Sequence, residues 1–105
     1  MTLEQTQAVV DHWVTTVAGG YWTRFQILAR LTEELGELSS ALQREEGLRP
    51  RKQDVDVAGE IGDVLFTLAA FANVSGVNLT EALRKTLEKY DVRDGQAWAD
   101  SRTAK

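Results

Sequence analysis

The sequence lacks cysteine altogether and contains one proline and one histidine among its 105 residues. Without cysteine the chain forms neither disulfides nor thiolate metal sites. The histidine, His12, is not part of a Glu-x-x-His motif, and no such motif occurs elsewhere in the chain. Because the di-iron carboxylate bundles use that motif on two helices, this class of protein is excluded.

Positive charge is also scarce, since 12 Lys and Arg residues face 16 Asp and Glu residues and the formal net charge is -4. Affinity for a polyanion comes mainly from a surplus of basic residues, so this balance disfavours a nucleic-acid partner. Hydrophobic residues at 43% and charged residues at 27% are typical of a globular protein and not of a membrane protein. The first residues, MTLEQTQAVVDHW, lack the pattern of a signal peptide. We predict a cytoplasmic globular protein without a membrane partner.

With so little proline, recurrent 3.6-residue periodicity predicts an all-α protein with short connections. The length corresponds to a single domain spanning residues 1–105, with a frayed or loosely packed tail over about 95–105. Because a core of this size is marginal, we expect a homo-oligomer, either a dimer or a tetramer. Thr2 with Gln5 and Thr23 with Gln26 have the spacing of a helical capping box. A four-helix bundle is predicted, with helices from about Leu3 to Val17, from Thr23 to near Glu46, from Asp54 or Asp56 to Ser75, and from Asn78 or Thr80 past Tyr90.

Two acidic pairs lie beside apolar stripes, in LTEELGELSSAL (31–42) and in GEIGDVLF (59–66). At about 100° per residue, each pair has one acid about 80° and one about 140° from the centre of its stripe. Two helices packed antiparallel through these stripes would therefore pool their acids at the margin of the contact. The stripes are Leu28, Leu31, Leu35, Leu38 and Leu42 in the second helix and Val57, Ile61, Val64, Leu65 and Leu68 in the third; the acids are Glu34, Glu37, Glu60 and Asp63.

A cluster of four carboxylates is costly unless their pKa values rise or a cation neutralises them. Hard divalent cations prefer oxygen ligands, and Mg²⁺ is the first candidate, with Mn²⁺ as a substitute. Gly36 and Gly62 each lie between the acids of a pair, although glycine costs about 1 kcal/mol inside a helix. We expect them to allow a close approach of another backbone or a ligand. The alternative is that each acidic pair is only the solvated face of an amphipathic helix.

The segments EELGEL (33–38) and GEIGDVLF (59–66) resemble the paired ExxE and ExxD signature of the MazG-type all-α nucleoside triphosphate pyrophosphohydrolases. The resemblance extends to GGYWTRFQILARLTEELGEL, LAAFAN and KYDVRD (89–94) and so covers nearly the whole chain. It is closest to the small single-domain members of that family. The resemblance implies that the four acids bind Mg²⁺, that a water molecule is activated there, and that a nucleoside triphosphate is hydrolysed to a monophosphate and pyrophosphate.

Further residues follow from the same resemblance or from their chemistry. Lys89 and Arg93 are expected on the triphosphate, and Asp94 either orients Arg93 or caps the helix end. Glu33, next to the ligands, supports the site or is a surface acid. Asn73 has the donor and acceptor groups that recognise a base, although a structural amide bonded to the backbone fits equally. Trp13, Tyr21, Trp22 and Phe25 form a candidate stacking wall, with Trp22 the preferred contact, whereas Trp13 and Phe25 fit better as aromatic residues of the core.

Two other functions remain open. Phosphoribosyl-ATP pyrophosphohydrolase belongs to the same superfamily and would keep the acids, although its signature differs from LTEELGEL and KYDVRD. A non-catalytic helical interaction module would direct the acids into solvent. A test of phosphoribosyl-ATP beside other nucleotides separates the first alternative, and the response to magnesium separates the second.

Overall fold

The computed structural model of the chain describes residues 1–51, 54–91 and 95–103, without the side chains of residues 96, 98 and 103. In those ranges the chain is helical and contains no β-strand, which confirms the prediction of an all-α protein. The predicted count of four helices is wrong, because a fifth helix forms where a frayed or loosely packed tail was expected. Weak apolar periodicity in that segment hid it. The helices are α1 (Leu3–Thr16), α2 (Arg24–Glu45), α3 (Val57–Val74), α4 (Leu79–Lys89) and α5 (Gly95–Thr103).

Local hydrogen bonds determine where the first four helices begin. The side chains of Thr2 and Thr23 each accept from the backbone N–H three residues on, and Gln5 and Gln26 complete both predicted capping boxes. For α3 and α4 the sequence left two candidate caps each. Asp56 accepts from Gly59 N at 2.9 Å and Asn78 accepts from Glu81 N at 3.0 Å, so these two residues are the caps.

Helix α3 is the centre of the fold, because it packs against both α2 and α1, and α1 also contacts α4. Arg24 Nε donates to Ser75 Oγ at 3.1 Å, which places the start of α2 beside the end of α3. The two helices are therefore antiparallel, as predicted. The apolar core at the centre is small and consists of Val10, Val14, Ile27, Ala69 and Ala70.

The contact between α2 and α3 leaves much of the predicted apolar stripes uncovered, although Leu31, Leu38, Val57 and Val64 are half-buried. Leu35 and Leu65, in the middle of those stripes, leave 50% and 44% of their surface exposed. The buried residues of α2 are instead Ile27, Glu34 and Ala41, which lie one position earlier than the leucines and so about 100° around the helix. Periodicity identifies an apolar face, but it cannot tell whether the same chain covers that face.

The isolated chain exposes more surface than a self-contained domain of its mass. Its radius of gyration is 17.1 Å, whereas a compact domain of this length has about 13 Å. Its accessible surface is 7885 Å² for 11.7 kDa, which exceeds the roughly 5,900 Å² of a folded monomer by about 2,000 Å². The uncovered stripes account for part of this excess, and they are formed by Leu28, Leu35 and Leu42 on α2 and by Ile61, Leu65 and Leu68 on α3.

By length and composition only, α3 is long and apolar enough to cross a membrane. Its 18 residues have a mean hydropathy of 1.4, and 22% of them are buried inside the protein. Core helices of folded proteins have the same properties. Helix α3 packs against two other helices and carries Glu60 and Asp63, and carboxylates inside a membrane are costly. We interpret α3 as a core helix with one uncovered apolar face.

Candidate metal centre and adjoining cavity

Three of the predicted ligands meet between α2 and α3. Glu34, Glu37 and Glu60 each offer one carboxylate oxygen, and these oxygens all lie within 4.8 Å of one another. Glu34 is buried, with 3% of its surface exposed, whereas Glu60 is half-buried and Glu37 is exposed. The i,i+3 spacing on α2 directs two acids to one side of that helix, and the antiparallel packing adds the acid from α3.

The buried oxygens of this cluster lack partners. Glu34 Oε2 and Glu60 Oε2 are both inaccessible and accept no hydrogen bond from the described residues. A buried carboxylate oxygen without a donor is costly, and folded proteins rarely leave one so. A hard divalent cation would bind both oxygens, because Mg²⁺ and Mn²⁺ prefer carboxylate ligands. The residues present therefore fit a divalent cation.

Asp63, the fourth predicted ligand, lies beside this group and not within it. It is exposed, and its carboxylate is near enough to raise the pKa values of Glu34 and Glu60 through its charge. It also lines the same cavity as Glu34 and Glu37. The structure thus brings three acids together and places the fourth at their edge.

Mutual repulsion and burial change the titration of two of these acids. Burial and then the charge of Glu37 raise the pKa of Glu34 above its ordinary 4.5, although the Arg30 cation opposes the rise. Burial and then the charges of Glu37, Asp63 and Asp56 raise the pKa of Glu60. Because these pKa values are higher in the folded chain than in the unfolded chain, folding is favoured by the protonated forms and opposed by the charged forms.

A pH dependence follows from the direction of these two shifts. As the pH rises from 4.5 through the raised pKa values, the unfolded chain loses its protons first, so the cation-free protein loses stability. Divalent cations bind the deprotonated acids and reverse that loss. We expect Mg²⁺ to raise the melting temperature more at about pH 7.5 than at about pH 5. Thermal melts with EDTA or Mg²⁺ test this, and an equal effect of Mg²⁺ at both pH values would contradict it.

Arg30 connects the acidic cluster to its surroundings and was not anticipated from the sequence. Its Nε lies 2.9 Å from Glu34 Oε1, and its Nη1 lies 3.5 Å from Glu33 Oε2. Glu33 is exposed and does not belong to the group of three, but it contacts Arg30 and lines a second cavity together with Glu37 and Glu60. The i,i+4 spacing of Arg30 and Glu34 was the available signal.

A cavity of about 570 Å³ joins the acidic cluster to an aromatic wall. At the acidic end it is lined by Glu34, Glu37 and Asp63. The Trp13 and Phe66 rings meet edge to face, with their centroids 5.5 Å apart. Phe25 does not line the cavity and is exposed. The volume is typical of a small-molecule site, and the aromatic lining consists of Trp13, Tyr21, Trp22 and Phe66.

The predicted triphosphate contacts lie elsewhere in the described part of the chain or outside it. Lys89 is at the end of α4, with its Nζ 5.4 Å from the centroid of the Tyr90 ring, and it does not line this cavity. Arg93 and Asp94 fall outside the described residues. Their roles remain predictions.

The Asn73 side chain is committed to bonds within the protein. Its Nδ2 donates to Gln7 O at 2.9 Å and to Tyr21 Oη at 3.1 Å, and its Oδ1 accepts from Gln7 Nε2 at 3.1 Å. Tyr21 in turn donates to Asp11 Oδ1 at 2.6 Å. Burial and then this bond to Asp11 raise the pKa of Tyr21. Asn73 therefore holds Tyr21, a residue of the cavity wall, and does not itself line the cavity.

Replacement of Asn73 by alanine is expected to lower the free energy of unfolding by about 1–3 kcal/mol, because partly buried donors and acceptors lose their partners. Urea denaturation measures the change. The matched control is Gln43→Ala, which removes one exposed hydrogen bond to Ser39 on α2. If both variants lose the same small amount of stability, the network around Asn73 contributes nothing specific.

No other backbone of the described chain approaches Gly36 or Gly62, so that part of the prediction is wrong, whereas the approach of a ligand there stays a prediction. A Cβ added at either glycine would meet no atom within 4 Å. Neither glycine is therefore required by the packing of α2 on α3.

Comparisons with known proteins agree with this arrangement. A family model for the MazG nucleotide pyrophosphohydrolase domain matches residues 23–98. YpjD of Bacillus subtilis (strain 168), an uncharacterised protein, is 38% identical over 100 residues, which cover 92% of this chain and 90% of YpjD.

Two crystal structures have the same fold. The structure of YpjD from Bacillus subtilis has a TM-score of 0.77 at 38% identity and covers 86% of this chain and 95% of its own. The structure of the Bacillus-conserved MazG protein, a nucleotide pyrophosphohydrolase, has a TM-score of 0.75 at 31% identity and covers 90% of this chain and 94% of its own.

Proposed function

The chain belongs to the MazG family of nucleotide pyrophosphohydrolase domains, and from this premise we propose that it hydrolyses nucleoside triphosphates to monophosphate and pyrophosphate with Mg²⁺. One observation supports this most strongly. Two buried carboxylate oxygens without partners, Glu34 Oε2 and Glu60 Oε2, belong to one acidic cluster, and Glu34 and Glu37 of that cluster line a cavity large enough for a nucleotide. Neither a solvated acidic face nor a purely structural ion pair accounts for both features.

Glu34, Glu37 and Glu60 are the proposed ligands, and Asp63 completes the site from its edge. A divalent cation bound there neutralises phosphate charge and lowers the pKa of a bound water. The carboxylates hold their positions because Glu34 and Glu60 are anchored in the contact between two helices. Glu33 supports the site through Arg30. No side-chain nucleophile is required for hydrolysis of a phosphoanhydride.

We place the nucleoside against the aromatic wall and the scissile phosphoanhydride at the acidic end. Trp22 is exposed within the wall and is the proposed stacking contact, while Asn73 acts by holding Tyr21. Lys89 and Arg93 remain the proposed contacts of the outer phosphates, with Asp94 orienting Arg93. Excess surface on the isolated chain leaves room for a second copy to bring cations from α4 to the site.

We propose that this second copy covers the stripe of Leu28, Leu35, Leu42, Ile61, Leu65 and Leu68. The seven-residue spacing of the three leucines on α2 is the spacing of helices that pack side by side. The excess surface of about 2,000 Å² per chain is more than the roughly 800 Å² per partner of a standard interface. We therefore propose a homo-oligomer, a dimer or a tetramer, and we retain the cytoplasmic location as a prediction.

The test of the function is a screen of standard and modified nucleoside triphosphates, together with phosphoribosyl-ATP, in Mg²⁺ or Mn²⁺. We expect release of pyrophosphate from at least one nucleoside triphosphate and none in EDTA. Preference for phosphoribosyl-ATP would favour the related enzyme of histidine synthesis. If no substrate releases pyrophosphate and Mg²⁺ leaves the melting temperature unchanged, the domain is a non-catalytic interaction module.

A further inference from the structure

The cavity that joins the acids to the aromatic wall contains one basic residue among its described lining. Arg30 stands there with Glu34, Glu37 and Asp63, and the other lining residues are apolar, aromatic or uncharged. A phosphate group in this cavity would face three carboxylates. Repulsion from them must be offset, and a guanidinium is the protein group best suited to phosphate oxygens.

The geometry of Arg30 leaves it able to bind a ligand. Half of its side-chain surface is exposed. Its Nε is paired with buried Glu34, and the contact of its Nη1 with Glu33 is long, at 3.5 Å. Its Nη2 makes no hydrogen bond or ion pair with the described residues. The short ion pair with buried Glu34 restrains the guanidinium, so less conformational entropy is lost when it binds an anion.

We propose that Arg30 binds the α-phosphate of the substrate, the phosphate that stays on the nucleoside when pyrophosphate leaves. The inference rests on the proposed function and adds a phosphate contact from α2. Arg30 lies one helical turn before Glu34 and lines the cavity that reaches the aromatic wall. With the nucleoside against that wall and the scissile anhydride at the acids, the α-phosphate lies at the acidic end, where the guanidinium of Arg30 is paired with Glu34. Lys89 does not line this cavity, so it serves the outer phosphates at most.

A different role for Arg30 would be to orient Glu34 alone. A thermodynamic cycle separates the two roles. It combines the removal of the Arg30 side chain from the protein with the removal of the phosphate from the ligand. Calorimetry in millimolar Mg²⁺ measures the affinities of the wild type and of Arg30→Ala for three pairs of ligands: adenosine and AMP, cytidine and CMP, and uridine and UMP. For each pair, the gain in affinity is the ratio of the affinity for the monophosphate to the affinity for the nucleoside. This gain is compared between the two proteins. Binding of Mn²⁺ without nucleotide is measured in parallel.

If Arg30 binds the phosphate, the gain in affinity falls by about 10- to 100-fold in Arg30→Ala, as for a lost charge-assisted hydrogen bond. The KM of the hydrolysed triphosphate rises by a similar factor, and the affinity for Mn²⁺ does not fall, since a nearby positive charge has been removed. Arg30→Lys should recover only part of the loss, because an ammonium group lacks the planar fork of arginine. Arg24→Ala, on the same helix but outside the cavity, should match the wild type.

An unchanged gain from the phosphate, or an unchanged KM, would overturn the proposal, and a loss confined to Mn²⁺ affinity would assign Arg30 to orienting Glu34. If Arg30→Ala does not fold, Arg30→Gln is measured in its place and interpreted in the same way. Failure of the proposed function is distinguishable, because the wild type would then neither release pyrophosphate nor gain affinity from the phosphate. In contrast, if the wild type is active but the gain from the phosphate is the same in Arg30→Ala, this inference alone is overturned.

Discussion

Glu34→Gln is expected to abolish turnover, lowering kcat by at least about 1,000-fold, while the fold is retained. The substitution keeps the volume of a side chain that is 3% exposed but removes the charge that a divalent cation needs. Metal ions contribute several kcal/mol to the stabilisation of a transition state, and each 1.4 kcal/mol is about tenfold in rate. Glu37→Gln should lose turnover similarly. Steady-state release of pyrophosphate in Mg²⁺ measures both effects.

The same substitution has an opposite effect on stability without divalent cations. Because burial and Glu37 raise the pKa of Glu34, its charge is unfavourable in the folded state at neutral pH, and glutamine removes that cost. We expect the melting temperature in EDTA to rise, although the lost ion pair with Arg30 offsets part of the gain, and the response to Mg²⁺ to disappear. Glu45→Gln, an exposed acid near the end of α2, is the control and should leave both quantities unchanged. Full activity of Glu34→Gln would remove this residue from the site.

Leu65→Glu is expected to convert the oligomer to a monomer and to lower the melting temperature by about 10 °C or more. Leu65 lies in the uncovered stripe of α3 with 44% of its surface exposed in the isolated chain. A second copy seated on that stripe would bury the introduced carboxylate without a partner, which costs several kcal/mol. Light scattering after gel filtration gives the molar mass, and thermal melts give the stability.

The matched control is Leu48→Glu, in the connection between α2 and α3, where the leucine is even more exposed. It should keep the mass of the wild type. If Leu65→Glu does not fold, the wild type alone decides, since an oligomer melts at a higher temperature as its concentration increases. A wild type that is monomeric at micromolar concentration, with a melting temperature independent of concentration, would contradict the proposed interface.

Features set by neighbouring residues in the chain could be predicted from the sequence. The capping boxes of Thr2 and Thr23 involve side chains and backbone groups three residues apart, so their spacing was sufficient. Gly47 and Gly76 have positive φ angles after α2 and α3, where the chain must turn. The helical structure was predicted from the 3.6-residue periodicity for the same reason, because this periodicity also relates residues that are close in the chain.

The meeting of the acids was predicted, although much of the apolar stripes predicted to join their helices is exposed. Glu34 and Glu60 are offset from their stripes by the same angle, so any antiparallel contact on that side brings them together. Which face α3 covers depends on every apolar surface available, including that of another copy, and one chain's periodicity does not contain this information. Leu35 and Leu65 were therefore assigned to the core but lie outside it.

Side-chain networks between distant segments could not be predicted. Asn73 and Gln7 are 66 positions apart and bond through two contacts that only the tertiary packing creates. The pairing of Arg30 with Glu34 could be expected from their i,i+4 spacing, but their sharing a cavity with Tyr21 and Trp22 depends on how the segment before α2 folds. The sequence gives the chemical groups of each residue, but the groups that surround it in the fold could not be predicted.

Diffraction from crystals grown with Mn²⁺, using the anomalous signal of the ion, tests the central claim most directly. A peak bonded to carboxylate oxygens of Glu34, Glu37 and Glu60, at about 2.0–2.3 Å and lost in Glu34→Gln crystals, is the predicted result. An absence of any peak between α2 and α3 at saturating Mn²⁺, with those carboxylates hydrogen-bonded to water, would contradict it.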